Sequence, residues 1–144
     1  MMVILNMLIS LSLFCNLGMI QANNQMTVPP PKVMKSAYTN IPETNNWVII
    51  PKGVDEITIY VEAENAETVL FWLIPTGTQT WWERSLIGYA INTEKEAIFK
   101  SPQTFSITWK IDKPFLHDHI EVQLIGMNES TSGGSINITM DRDK

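Results

Sequence analysis

The residues of this 144-residue chain that could do chemistry fall into three small groups. His117 and His119 flank Asp118. Alternate side chains of an extended strand share a face, so the two imidazoles would project together, and such a pair can bind zinc or copper. Two ligands do not make a site, and no third stands nearby in sequence. The competing role is a polar loop entering a strand. The second group is Trp81-Trp82-Glu83-Arg84. Neighbours in a strand point to opposite faces, so at least one indole would be exposed beside Glu83 and Arg84, an arrangement suited to stacking a sugar ring. The structural alternative puts one indole in the core and the other over a sheet edge, with Arg84 stacked on it. The third group is acidic: Asp55, Glu56, Glu62, Glu64 and Glu67. Calcium needs several converging oxygen ligands, and no Asp-x-Asp-x-Asp spacing is present, so a solvated rim competes with a cation site.

Motifs for catalysis are missing. There is no activated-serine motif, no glycine-rich phosphate loop and no His-Glu-x-x-His. A carboxylate pair for glycoside hydrolysis needs no local motif, but a sandwich of about 100 residues without a large cleft is a poor host for one. Composition narrows the partners. With 10 Lys and Arg against 15 Asp and Glu the net charge is −5, and no charged residue precedes Lys32. Nucleic acid and anionic lipid both require clustered cations, and this chain has no such cluster. At 44% hydrophobic and 17% charged residues, the composition is that of one ordinary globular domain.

The elements that must position these residues begin after an apolar leader. Val3 to Ile20 is broken only by Asn6, Ser10, Ser12, Asn16 and Gly18. Residues 1–22 read as a secretory signal helix ending in Ile20-Gln21-Ala22. An uncleaved anchor is the alternative, since roughly 18 apolar residues just span a bilayer. No Lys or Arg precedes the apolar run. Cys15, the sole cysteine, follows Phe14 rather than the small residue that lipidation requires. Removal of the leader would leave a chain without thiol, disulfide or cysteine-ligated metal. Residues 23–46, with Pro29-Pro30-Pro31, Pro42, Asn45 and Asn46, show no periodicity and read as a stiff linker.

Residues 47–144 read as the folded domain. Trp47–Ile50 makes a first strand, stopped by Pro51. Ile57/Ile59/Val61, Phe105/Ile107/Trp109/Ile111, Ile120/Val122/Leu124 and Ile136/Ile138/Met140 alternate with polar neighbours at period two. Thr68 to Ile74 is apolar on both faces, Val69/Phe71/Leu73 and Leu70/Trp72/Ile74, which suits a central strand covered on two sides. Leu86 to Ile91 adds another strand. Thr93 to Lys100 is polar, a loop or a short edge strand. Phe71, Trp72, Phe105 and Trp109 are the expected aromatic core. Seven or eight strands with turn signals every 8 to 12 residues predict an all-β, antiparallel sandwich of immunoglobulin type.

Residues 55 to 141 resemble the bacterial immunoglobulin-like domains of secreted and surface proteins. The matching positions are Val69 and Phe71, Leu86-Ile87-Gly88, and Phe105, Ser106, Thr108 and Trp109, followed by two alternating strands. The segment Pro75 to Arg84 with its paired tryptophans, and the polar stretch Asn92 to Lys100, depart from that pattern. The resemblance implies a non-enzymatic spacer, scaffold or binding role in the cell envelope, with no catalytic residue and no cofactor. The partner would be a protein or a cell-wall polysaccharide, the latter through Trp81, Trp82 and Arg84. The leader adds its own expectation. Intact mass of the exported chain should place the mature amino terminus at Asn23, and a mass that retains residues 1–22 would identify an anchor instead.

Overall fold

The computed structural model describes residues 28–77, 81–93 and 101–141. Nine strands follow one another: β1 (Lys32–Thr39), β2 (Glu43–Thr44), β3 (Trp47–Ile50), β4 (Glu56–Glu64), β5 (Thr68–Pro75), β6 (Ser85–Ile91), β7 (Gln103–Lys110), β8 (His117–Ile125) and β9 (Ser130–Met140). A single 3₁₀ turn, Trp81–Glu83, precedes β6. The strands form two sheets, one of three in the order β1-β4-β7 and one of six in the order β2-β3-β9-β8-β5-β6. The fold is all-β and β-sandwich-like. The leader, and the polar stretch from residue 94 to 100, lie outside the described residues.

The period-two pattern decides which residues meet between the sheets. Ile57, Ile59, Val61 and Ala63 of β4 and Phe105 and Trp109 of β7 point inward from the smaller sheet. Val69, Phe71 and Leu73 of β5, with Ile120, Val122 and Leu124 of β8, face them from the larger one. Ile136 and Ile138 of β9 and Val48 and Ile50 of β3 extend the same layer. Each such side chain contributes about 1.5–3 kcal/mol by leaving water. Among the described residues no buried side chain is polar or charged. The core is therefore dry and holds no group whose chemistry a low dielectric would tune.

Two glycines set how closely the layers approach. A Cβ on Gly88 would lie 2.7 Å from Ile107 Cδ1, so the bare backbone of β6 is what lets β7 pack onto it. Gly134 has φ +101°, and a Cβ there would run into the Ser36 hydroxyl of β1. Gly134 stands where the pairing of β8 with β9 shifts register, between Val122 and Gln123. That irregularity bends β9 toward β1 and brings the two sheets together along one side.

Three expectations are corrected. Residues 32–44 are not linker. Lys32 to Thr39 pairs antiparallel with β4, and Glu43-Thr44 forms a hairpin with Trp47-Val48. Asn45 and Asn46 supply the positive φ values, 52° and 65°, that a two-residue hairpin turn of this hand demands. Pairing is also not antiparallel throughout, because β3 runs parallel to β9, with Val48 opposite Ile138 and Ile50 opposite Met140. Trp81 and Trp82 belong to the 3₁₀ turn rather than to a strand, so strand alternation does not govern them. Gly134→Ala should lower stability by about 1–3 kcal/mol, read as a lower urea midpoint at unchanged slope. Pairing it with Ser36→Gly should restore part of the loss.

Candidate interaction face

The outward side chains of the larger sheet divide it into two halves. Register places them in rows across the strands. One row is Ile91, Thr68, Ile125 and Ser130, the next is Tyr89, Leu70, Gln123 and Ser132, and the third is Leu86, Trp72, Glu121 and Ser135. The β6–β5 half of these rows is apolar except for Thr68, and the β8–β9 half is polar except for Ile125. The apolar half is not covered by any element among the described residues. Tyr89 is 60% exposed, Ile91 59% and Leu86 48%, while Leu70 and Trp72 are half-buried. Phe71, the inward neighbour of both, is fully buried.

Trp72 is the member of this strip held by both a hydrogen bond and a cation. Its indole Nε1–H donates to Gln123 Oε1 at 3.1 Å. The Arg84 guanidinium lies over its ring, 4.2 Å from the centroid. Arg84 follows the 3₁₀ turn, so the turn at 81–83 delivers a cation to the face of a residue twelve positions earlier. Cation–π contacts of this partly exposed kind contribute about 0.5–1 kcal/mol. Sequence reasoning expected Arg84 to stack on one of the paired tryptophans, and it expected Trp72 in the core. The structure instead joins Arg84 to Trp72 on the outer surface. Trp82 is 72% exposed beside Glu83. The place of the Trp81 side chain lies outside what is described. The signal that could have found the strip is the apolar second face of β5, opposite a β6 whose Leu86, Tyr89 and Ile91 also fall on the outer side.

The other candidates do not assemble into sites. His117 stacks on Trp47 of β3, with ring centroids 4.7 Å apart at 13°, and its Nδ1 lies 3.3 Å from Thr139 Oγ1. Asp118 accepts from the Thr76 amide at 3.3 Å and pairs with Lys113 Nζ at 3.4 Å. His117 and His119 do share the outward face, as strand alternation predicts, but His119 sits in the next row, opposite Asn137. Among the described residues no three His, Cys, Asp or Glu side chains are grouped to hold a metal. The acidic residues are spread along β4, whose length of about 26 Å separates Asp55 and Glu56 from Glu64 and Glu67. Glu62 stands on the outer face of the smaller sheet, 3.7 Å from Lys35 Nζ and accepting from the Tyr38 hydroxyl at 3.2 Å. One shallow depression of about 310 Å³ lies between the end of β6 and the start of β7. Among the described residues it is lined by Ile91, Asn92, Thr93, Gln103, Thr104 and Phe105.

No protein-family model matches the chain, and no curated protein matches it. Among solved structures, a chain from the work described as "Structural basis of T cell specificity and activation by the bacterial superantigen toxic shock syndrome toxin-1" superposes with a TM-score of 0.52 at 13% sequence identity. The match takes in 76% of this chain and 100% of that one. At that identity the likeness concerns the fold alone.

The two tryptophans of this surface should behave differently on truncation. Trp82→Ala should leave the unfolding midpoint within about 0.5 kcal/mol of the parent. Trp72→Ala should cost about 2 kcal/mol, through lost packing, the Gln123 hydrogen bond and the Arg84 contact. Denaturant unfolding of both variants checks the contrast.

Proposed function

We infer that this chain is a non-enzymatic interaction module of immunoglobulin-like type, exported from the cytoplasm and acting in the envelope or outside it. The observation that carries the reading is the exposed apolar strip of β5 and β6, with Trp72, Tyr89 and Arg84 among its members. Trp, Tyr and Arg are the residues on which protein interfaces concentrate their binding energy. Export rests on the apolar stretch from Val3 to Ile20.

The immunoglobulin-like assignment is supported by strand order. With β4, β5, β7, β8 and β9 as strands B, C, E, F and G, the smaller sheet holds B and E and the larger holds C, F and G, the division that defines that sandwich. A non-enzymatic role is supported by the core, in which no side chain among the described residues is polar or charged. Substrate panels for peptide, ester and glycoside hydrolysis should all be negative. An activity abolished by Glu121→Gln or Asp118→Asn would overturn the reading.

A second reading is favoured by the exposure of Trp82, 72% beside Glu83 and near Arg84. On it the domain is a carbohydrate-binding module, with Trp82 as the stacking platform for a cell-wall or plant polysaccharide. Its signature is a change in tryptophan emission on adding the glycan that disappears in Trp82→Ala. Silence across a glycan panel removes this alternative.

A further inference from the structure

We propose that the unpaired edge of β6 is a docking site for an extended segment of another protein, which joins the larger sheet as a further strand. This rests on the reading of the chain as an interaction module and names the chemistry of its partner.

One hydrogen bond shows which backbone groups are open. The Asn92 amide donates to the Glu67 carbonyl at 2.8 Å, so it faces β5. Successive residues of a strand turn their N–H and C=O groups to opposite edges. Ala90 and Gly88, opposite Val69 and Phe71, therefore turn theirs toward β5. The N–H and C=O of Tyr89 and Ile91 turn the other way, where no strand stands among the described residues. Such a row of donors and acceptors is a template that only another extended backbone matches group for group.

Among the described residues the two sheets end in four edge strands, and the other three offer less. β2 is two residues long. β1 carries Lys32 and Lys35 and breaks register twice. β7 turns Thr104, Ser106 and Thr108 outward, so a strand beside it gains no apolar row. β6 has no charged residue from Ser85 to Ile91. Its outward Tyr89 and Ile91 are 60% and 59% exposed, whereas Leu70, opposite Tyr89, is half-buried. Leu70 has a strand on either side and Tyr89 on one side only. An added strand supplies the missing flank.

The pleat sets the partner's pattern. Every second side chain of the added strand lies on the outward face beside Tyr89 and Ile91, so the fitting segment is apolar at alternate positions. A second copy of this chain fits less well. The pairing of β6 with β5 shifts register between Phe71 and Trp72, which leaves β6 regular only from Gly88 to Ile91. Two copies would bring two such irregularities against each other, whereas a free segment follows the bend of its host.

Amide hydrogen exchange of the full chain, read by NMR, tests the proposal. The probe is a synthetic peptide of alternating valine and threonine between terminal lysines. At saturation it should slow exchange at Tyr89 and Ile91 at least about tenfold, a larger change than at Ala90, which already pairs with β5. The same peptide N-methylated at alternate residues lacks the donors for this edge and should not bind. Tyr89→Pro removes one open N–H while leaving the bonds to β5 in place. It should weaken the probe at least about tenfold relative to Tyr89→Thr, which keeps that N–H. Should Tyr89→Pro fail to fold, the N-methylated peptide decides alone. Unchanged exchange at Tyr89 and Ile91, or equal binding of the N-methylated peptide, overturns the proposal. Protection of these amides that needs no probe and rises with protein concentration also overturns it, and assigns the edge to a second copy. Each of these outcomes leaves the interaction-module reading in place, since that reading falls to a carboxylate-dependent hydrolytic activity instead.

Discussion

β5 has to satisfy two apolar faces at once, and most of the molecule is arranged around that demand. It is the only strand paired on one side with β6 and on the other with β8, and its inward residues Val69, Phe71 and Leu73 are fully or almost fully buried. Ile120, Val122 and Leu124 of β8 flank them in the same sheet, and Ile57, Ile59, Val61, Phe105 and Trp109 of the smaller sheet complete the core layer. The outward half of the same strand cannot be satisfied by this layer, because a β-sheet buries one face against its partner sheet and offers the other to whatever lies outside. The cation of Arg84 and the amide of Gln123 cover part of Trp72. They leave the remainder of the strip, Leu86, Tyr89 and Ile91, as exposed apolar surface.

The two sheets differ in what their outer faces do. On the smaller one, Tyr38 and Tyr60 stack with centroids 5.2 Å apart, Lys35 lies 3.8 Å above the Tyr38 ring, and Glu62 ties both Lys35 and Tyr38. Thr58 and Thr108 are 3.2 Å apart on the same face. The Tyr38 ring therefore has an aromatic and a cationic neighbour, and the polar groups beside it answer one another. Its edge strand β1 carries Lys32 and Lys35 and two breaks in register, each of which discourages a further strand from adding. The smaller sheet is finished on its outer side, while the larger one is not. That asymmetry is the reason for placing function on β5 and β6 rather than on the residues with the more reactive side chains.

Much of the architecture was legible in the sequence because the inward positions repeat at period two. Ile57/Ile59/Val61, Phe105/Trp109, Ile120/Val122/Leu124 and Ile136/Ile138 all face the core as their alternation requires. β1 escaped because its pairing with β4 slips twice, between Val33 and Lys35 and between Lys35 and Tyr38, so no alternation survives in Lys-Val-Met-Lys-Ser-Ala-Tyr-Thr. β2 is only two residues long, and its turn is made by Asn45-Asn46, which composition alone reads as linker. The candidate site was half legible. Arg84 and Trp82 were singled out, yet their setting depends on the 3₁₀ turn that carries Arg84 back over Trp72, and no spacing in the chain announces a contact between β5 and the residue after that turn. Apolarity on both faces of β5 was visible, but whether protein covered the second face was not, because cover depends on what stands across from the strand in space.

The parallel pairing of β3 with β9 has a consequence for how the chain comes to be folded. Val48 waits for Ile138, its neighbour across the ladder, and nothing between them in the sequence can take that place. Among the described residues, β2 and β3 reach the larger sheet only through β9. Contacts of such separation form slowly, since the intervening chain must be ordered first. The β3 side of the larger sheet therefore stays open until β9 has formed. A domain wired in this way completes its larger sheet late, when the β2–β3 hairpin docks on a strand far along the chain.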